Sequence, residues 1–396
     1  MFRVVAIAHE TQAAHGTASG MKSKDITVTD GRPESAMETE KLRFVQSLAM
    51  PVTRMLDYGM DSWDANHLST SSGTIPWDVA ARELAEAQLA RAQDAVQKGF
   101  SITAVDCLRR ATAAFNFAQM AFNSDTDEKR SLYQCLVDSY SAAAALDNHR
   151  VFVERLQILH RSSYCVGWLV RPIADSIAEG VVIIVGGQSG WGSAYHRQAE
   201  ALASRGFAAL LLEVPGQGET RIFNGLYLDQ YVDDALQSAL DVLAQRQDLA
   251  SSFGLWGNSF GGLIAARAAV ADNRFTACCV NGAEVDPRPS QFRTAREQAA
   301  AMTGARDDEE LARILESVWL DPSTDFMDAS LLVLHGGADP LQTLEAAHAF
   351  MPLSEDASIR VWEDGEHTIY NHSAERTEFV ADWFSVKMRD VSSPVD

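Results

Sequence analysis

Long apolar runs and basic residues are what this sequence has least of. No stretch reaches the roughly 18 uninterrupted apolar residues of a membrane-spanning helix, so we expect no membrane partner. Lysine and arginine total 33 against 54 acidic residues, which gives a formal net charge of −21. Such a surface repels phosphate backbones and anionic lipids, so we expect no nucleic-acid partner either.

Cysteine is also scarce. The five cysteines form no C-x-x-C pair, and their spacing to the ten histidines does not suit a metal site. We therefore predict buried free thiols, no metal, and a reducing cytoplasm as the location. The apolar run at the start is too short for a secretory signal. We interpret residues 1–36, rich in small and hydroxyl side chains, as a mobile extension.

The hydrophobic period divides the remaining chain in two. Over residues 37–149 apolar side chains recur at three- and four-residue steps, which predicts a helical domain. From residue 150 strand-like runs alternate with helix-like runs, which predicts an α/β domain with a mostly parallel, doubly wound sheet over 150–396. The strand signal stops at about 283–329, where we expect a charged helical insertion.

One short motif carries the strongest chemical signal. Gly257-Asn258-Ser259-Phe260-Gly261-Gly262 lies between a strand-like run that ends at Trp256 and a helix-like run that begins at Leu263. A sharp turn between strand and helix lifts the central serine hydroxyl out of the sheet. The alternative is a plain glycine-rich turn. The flanking pattern favours Ser259 as a nucleophile.

A serine nucleophile needs a base, and the base needs an acid that orients it. Asp339 follows the strand-like run 330–335, and His367 follows the strand-like run 358–363. Taken singly, Asp339 could open a turn before Pro340 and His367 could be a surface histidine. All three residues fall at the carboxyl ends of predicted strands, where open α/β sheets place their sites. We therefore predict a catalytic triad of Ser259, Asp339 and His367.

Acyl transfer further requires backbone N–H donors fixed around the developing oxyanion. We expect one donor from Phe260, directly after the nucleophile, and the second from Gln188 in the glycine-rich loop 186–192. This loop lacks the Lys-Ser/Thr ending of a phosphate loop and the Gly-x-Gly-x-x-Gly spacing of a dinucleotide site. We therefore predict no cofactor.

Two further motifs, Pro215-Gly216-Gln217-Gly218-Glu219 and Asp364-Gly365-Glu366-His367, complete a family pattern. The stretch from Val181 to about Val386 resembles the α/β-hydrolase superfamily, in particular the group of 2,6-dihydroxypseudooxynicotine hydrolase and the fermentation–respiration switch (FrsA-like) esterases. The resemblance implies an α/β-hydrolase fold and the same three triad residues. It also implies an N-terminal helical lid over the active site, and a possible homodimer.

Ser189 departs from that pattern. The carbon–carbon bond hydrolases of the group carry an acidic residue at this place, and a serine does not ionise near neutral pH. We expect Ser189 to face the substrate, and the enzyme to cleave an ester or carbonyl group of a small, hydrophobic, natural-product-like molecule. Two alternatives stay open: a lyase or acyltransferase that uses the same triad, and a non-catalytic ligand-binding protein on a hydrolase scaffold.

Overall fold

The computed structural model describes residues 44, 46–70, 75–173, 177–188, 190–290 and 293–389. The predicted mobile extension over 1–36 lies outside the described residues, and so does Ser189. Within the described ranges, no helix is both long enough and apolar enough to cross a bilayer.

One mixed sheet of eight strands forms the centre of the molecule. Its strand order is β1-β2-β4-β3-β5-β6-β7-β8. The pairs β1/β2 and β2/β4 are antiparallel, and all other neighbours are parallel. This confirms the predicted α/β class. The strands are Val151–His160, Ser163–Pro172, Val181–Val185, Ala208–Glu213, Phe253–Asn258, Phe275–Asn281, Ser330–Gly336 and Ala357–Trp362.

Helices surround the sheet, and thirteen α-helices lie wholly within the described residues. In chain order α1 to α13 they are Val52–Asp57, Ser62–Thr70, Trp77–Gln97, Ser101–Gln119, Asp127–Leu146, His196–Ala203, Gly218–Ile222, Val232–Ala244, Phe260–Ala271, Arg293–Thr303, Asp308–Glu316, Leu344–His348 and Ser373–Arg389. Short 3-10 turns occur at Gly192–Tyr195, Met351–Leu353 and His367–His372.

Burial follows from the sequence of each strand. All five residues of β3 are buried, as expected for a short Val/Ile run in a parallel sheet covered on both faces. The edge strand β1 instead alternates between exposed and covered positions. Separate hydrophobic clusters fill the two faces of the sheet. The covered central strands hold the carboxyl-end loops, and therefore the site, in fixed positions.

The helical region before β1 is built from three long helices and two short ones. Helices α3, α4 and α5 lie within the range 37–149 that the sequence predicted to be helical, with α3 packed on α4 and α4 on α5. The chain ahead of them is more broken than its periodicity suggests. Helix α1 begins after Pro51, and Gly59 at φ +100° separates it from α2.

One hydrophobic cluster joins the helical region to the sheet. Tyr58 and Phe117 from the helices belong to the same buried cluster as Trp168 and Ile184 from the strands. The predicted boundary near residue 150 therefore divides the sequence but not this core. Whether either part folds alone stays a prediction.

The stretch between β6 and β7 carries helices α10 and α11, in the range predicted for a helical insertion. The acidic run at its centre begins α11. Asp307 is the N-cap, and its carboxylate accepts a hydrogen bond of 2.8 Å from the Glu310 N–H. Acidic side chains in a first helical turn are stabilised by the helix dipole.

Candidate active site

Ser259 occupies a strained turn between β5 and α9. Its backbone has φ 54° and ψ −133°, a combination that a non-glycine residue adopts only when its surroundings impose it. Gly261 makes the turn possible, because a Cβ at that position would lie 2.3 Å from the carbonyl oxygen of Gly186. The strand and the helix thus approach closely, and the hydroxyl stands at the carboxyl edge of the sheet.

The three predicted triad side chains meet at this edge. His367 Nε2 lies 2.9 Å from Ser259 Oγ, and His367 Nδ1 lies 2.8 Å from Asp339 Oδ2. The Asp339 carboxylate is fully covered, while the imidazole keeps 14% of its surface exposed. An imidazole held in this way has one nitrogen bound to a carboxylate and the other facing the hydroxyl.

Asp339 also performs the local task that its sequence context suggested. Its Oδ1 accepts hydrogen bonds from the backbone N–H groups of Leu341 at 2.7 Å and Gln342 at 3.2 Å. The other oxygen is left for the histidine. Asp339 is therefore a turn residue through Oδ1 and the histidine's partner through Oδ2, so both interpretations from the sequence hold for the same side chain.

The loop that carries His367 has an unusual backbone. Thr368 and Ile369 both have positive φ, at 51° and 63°, which costs energy for any residue with a Cβ and most for a β-branched one. The Thr368 carbonyl accepts from Arg376 at 2.9 Å and from the Asn281 amide at 3.2 Å. These donors hold the strained loop in place.

Helix α1 contacts this loop on both sides of His367. Asp57 forms a buried, two-bond ion pair with Arg376, at 2.9 and 3.2 Å. On the other side, Thr53 Oγ1 donates a 2.5 Å hydrogen bond to the Glu366 carboxylate. Sequence reasoning missed these contacts, because 313 or more positions separate the partners and no local motif marks them.

The glycine-rich loop after β3 lies against the nucleophile. A Cβ on Gly187 would be 2.8 Å from Ser259 Cβ. Gln188 is the next residue, and Phe260 is the first residue of α9, where a backbone N–H has no acceptor inside the helix. The Gln217 amide donates to the carbonyls of Gly186 and Gly187, at 2.5 and 3.0 Å. This explains why the Pro-Gly-Gln-Gly-Glu motif accompanies the loop.

Glu213 is a second buried support for the same loop. Its carboxylate accepts from the Gly192 N–H at 3.0 Å, from the Glu219 N–H at 2.6 Å and from the Tyr133 hydroxyl of α5. Burial, reinforced by the nearby negative charge of Glu219, raises the pKa of Glu213 to about 7. The donors oppose this shift without cancelling it.

We predict that Glu213 makes folding stability depend on pH. A carboxyl whose pKa is higher in the folded state stabilises the protein fully below its unfolded pKa of about 4.5, and this contribution is lost as the pH rises through about 7. Chemical denaturation between pH 5 and pH 8 measures the effect. The free energy of unfolding of Glu213→Gln should fall less steeply over that range than that of the wild type. Parallel slopes would contradict the assignment.

A cluster of tyrosines from both parts of the chain lies beside the histidine loop. Tyr58 makes edge-on contacts with Tyr195 and Tyr370, and Tyr370 lies 6.4 Å from the His367 ring. Burial raises the pKa of all three phenols, so they stay protonated. Beside Gln188 a cavity of about 10 Å³ remains, bounded in part by Met120 and Phe122 of the helical region.

Among the described residues, no group of three or more His, Cys, Asp or Glu side chains is placed to hold a metal ion. All five cysteines are free, and four of them are buried. Burial raises the pKa of the Cys278 and Cys279 thiols, which disfavours the reactive thiolate.

Comparisons with known proteins fit this architecture. A family model described as serine aminopeptidase, S33, matches residues 176–319. The crystal structure of 2,6-dihydroxy-pseudo-oxynicotine hydrolase superposes with a TM-score of 0.77 at 20% identity, covering 87% of this chain and 97% of that one. The chain is an α/β-hydrolase by fold. The structure of AbyA5 is also similar to this chain, with a TM-score of 0.61, 19% identity and coverage of 78% of this chain and 89% of that one. A search of curated proteins gives no match.

Proposed function

We propose that this α/β-hydrolase is a serine-dependent esterase-like enzyme that acts through Ser259, His367 and Asp339. The observation that carries the proposal is the continuous hydrogen-bonded chain from Ser259 Oγ through the imidazole to the Asp339 carboxylate, with distances of 2.9 and 2.8 Å. Its position at the carboxyl edge of the sheet, on a strained strand–helix turn, supports the same role.

The geometry defines a sequence of proton and acyl transfers. Asp339 accepts from His367 Nδ1–H and so keeps Nε2 free to take the Ser259 proton as the hydroxyl attacks an acyl carbonyl. The backbone N–H groups of Phe260 and Gln188 stabilise the tetrahedral oxyanion in this proposal. The imidazolium then protonates the leaving group, and water releases the acid from the acyl-enzyme. No cofactor enters these steps.

A small, hydrophobic, natural-product-like substrate stays part of the proposal. Met120 and Phe122 line the cavity beside Gln188 together with Lys129 and Arg221, and Tyr370 lies 6.4 Å from the histidine ring. The helical region supplies Met120 and Phe122, so we propose that it acts as a lid over the site. Ser189 follows Gln188 directly and stays our candidate for a substrate-facing residue. The cytoplasmic location and the homodimer are likewise proposals.

A fluorophosphonate probe tests the proposed nucleophile without knowledge of the substrate. We expect one adduct, on Ser259, located by peptide mass spectrometry, because its hydroxyl lies 2.9 Å from an imidazole that a carboxylate orients. His367→Ala should label at least about a hundredfold more slowly, since the base is lost. The exposed Ser204 serves as the internal control. No adduct, or an adduct elsewhere, would favour a non-catalytic binding protein.

Elimination or acyl transfer by the same triad is a second candidate reaction, because it needs the same nucleophile and base. Product analysis separates the two: alcohol plus acid indicates hydrolysis, and alkene plus acid indicates elimination.

A further inference from the structure

One cavity within the described residues lies away from the triad. It measures about 260 Å³ and lies between α4 of the helical region and the segment 193–200, which follows the glycine-rich loop 186–192. No residue of the triad, and neither predicted oxyanion donor, lines it. Tyr58 forms part of its wall and also packs against Tyr370.

The charge of the cavity is opposite to that of the whole chain. Four arginines line it, against two carboxylates, in a protein whose formal net charge is −21. Arg109 is neutralised by Asp147 and Glu200, at 2.5 and 2.6 Å. Arg150 is paired with Asp106 at 2.6 Å. These ion pairs hold Arg109 and Arg150 in the wall of the cavity. Arg110 and Arg197 have no carboxylate partner among the described residues.

Polar groups on the wall of this cavity are incompletely paired. Asn116 is 1% exposed, its Oδ1 accepts from Gln119, and its Nδ2 has no acceptor among the described residues. Arg110 is half-buried, and Arg197 donates one hydrogen bond of 2.6 Å to the Leu56 carbonyl. An acceptor-rich ligand would supply acceptors for Arg110 and the Asn116 amide, and a further one for Arg197.

The histidine in the wall does not add a positive charge at neutral pH. His196 Nδ1 lies 2.6 Å from the Tyr140 hydroxyl, and Nε2 lies 3.3 Å from Glu200. Burial lowers the pKa of His196, so the ring is neutral. Burial by itself would raise the pKa of Glu200, but the hydrogen bond from His196 and the charge of Arg109 lower it to about 2. The carboxylates therefore stay bound to their own partners over the physiological range.

We propose that this cavity binds a small organic anion of the carboxylate or phosphate-monoester class, through Arg110, Arg197 and the Asn116 amide. Guanidinium groups match the two oxygens of a carboxylate or phosphate, and the amide supplies a neutral third donor. The volume admits a small metabolite but no macromolecule. The cavity shares no lining residue with the triad. A ligand bound there would contact both the helical region and the segment that follows β3.

Titration with inorganic phosphate tests the proposal, followed by melting temperature and calorimetry at constant ionic strength. We expect saturable binding with a millimolar or lower Kd for phosphate and acetate, and none for neutral acetamide. Arg110→Ala should weaken binding by about tenfold or more, Arg110→Lys less, and Arg110→Ala/Arg197→Ala should abolish it. Arg288→Ala removes the same charge from a side chain that is 80% exposed, and should bind as the wild type does.

The same titration on Ser259→Ala, and on fluorophosphonate-treated wild type, separates this proposal from the proposed enzyme activity. Both should bind phosphate with the wild-type Kd. Three results would overturn the proposal: no saturable binding by the wild type, equal weakening by Arg288→Ala, or loss of binding after treatment with the probe. The last would place the anion at the triad.

Discussion

Ser259→Ala is expected to reduce kcat/KM on a p-nitrophenyl ester by about four orders of magnitude or more, because removing a triad nucleophile disables the whole unit. The hydroxyl is the only group placed 2.9 Å from His367 Nε2 within the described residues. The free energy of unfolding should change by less than about 1 kcal/mol, because the substitution leaves the strained turn and its glycines unchanged. Steady-state kinetics and urea denaturation measure the two quantities.

Ser204→Ala is the matched control for this experiment. Ser204 is exposed at the end of α6, and its hydroxyl donates to the Ala201 carbonyl at 2.8 Å and accepts from Arg205 Nη1 at 3.3 Å. Its loss should leave kcat/KM unchanged. If Ser259→Ala kept full turnover, the nucleophile would have to be another group, and the proposed mechanism would be wrong.

Asp57→Ala is expected to have the largest effect on stability, although Asp57 lies in the helical region and far from Ser259 in sequence. The substitution leaves Arg376, which is 1% exposed, as a buried charge without its carboxylate. Breaking a buried pair from one side typically costs 3–5 kcal/mol. Arg376 also holds the Thr368 carbonyl beside His367, so kcat should fall at temperatures where the variant is still folded, with KM little changed.

Two comparisons make the Asp57 result specific. Asp382→Ala breaks the ion pair with Arg205, in which the aspartate is 67% exposed, and should cost less than about 1 kcal/mol. Asp57→Leu combined with Arg376→Met removes both charges and should recover much of the stability. It should not restore kcat, because the hydrogen bond from Arg376 to the Thr368 carbonyl is lost. A double variant with normal kcat would show that the pair supports the fold and has no role in positioning the base.

The parts of this site that sequence could predict are those that local chain geometry determines. The turn at Ser259 is encoded by glycines within a few residues, and strand ends place Asp339 and His367 on the same edge of the sheet. The comparisons and the strand order confirm the fold. The residues predicted for the site lie together, and their catalytic roles stay predictions for the experiments above.

What could not be predicted depends on contacts between distant segments. Asp57, Arg376 and Glu213 look like ordinary polar residues in the sequence, and only the folded structure shows what they bind. The motif that contains Gln217 was recognised, but its bonds to the glycine-rich loop were not. The breaks around Pro51 and Gly59 were missed because helical periodicity continues across them. Tertiary packing, and not local propensity, decides these features.

Helix α1 and the histidine loop come from opposite ends of the chain, with 319 positions between Asp57 and Arg376. During synthesis the amino-terminal partner leaves the ribosome long before the other exists. A chain that ends before residue 376 therefore contains Asp57 but lacks the arginine that pairs with it and binds the Thr368 carbonyl. In the proposed mechanism, alignment of the base then depends on a residue that is synthesised more than 300 positions after Asp57.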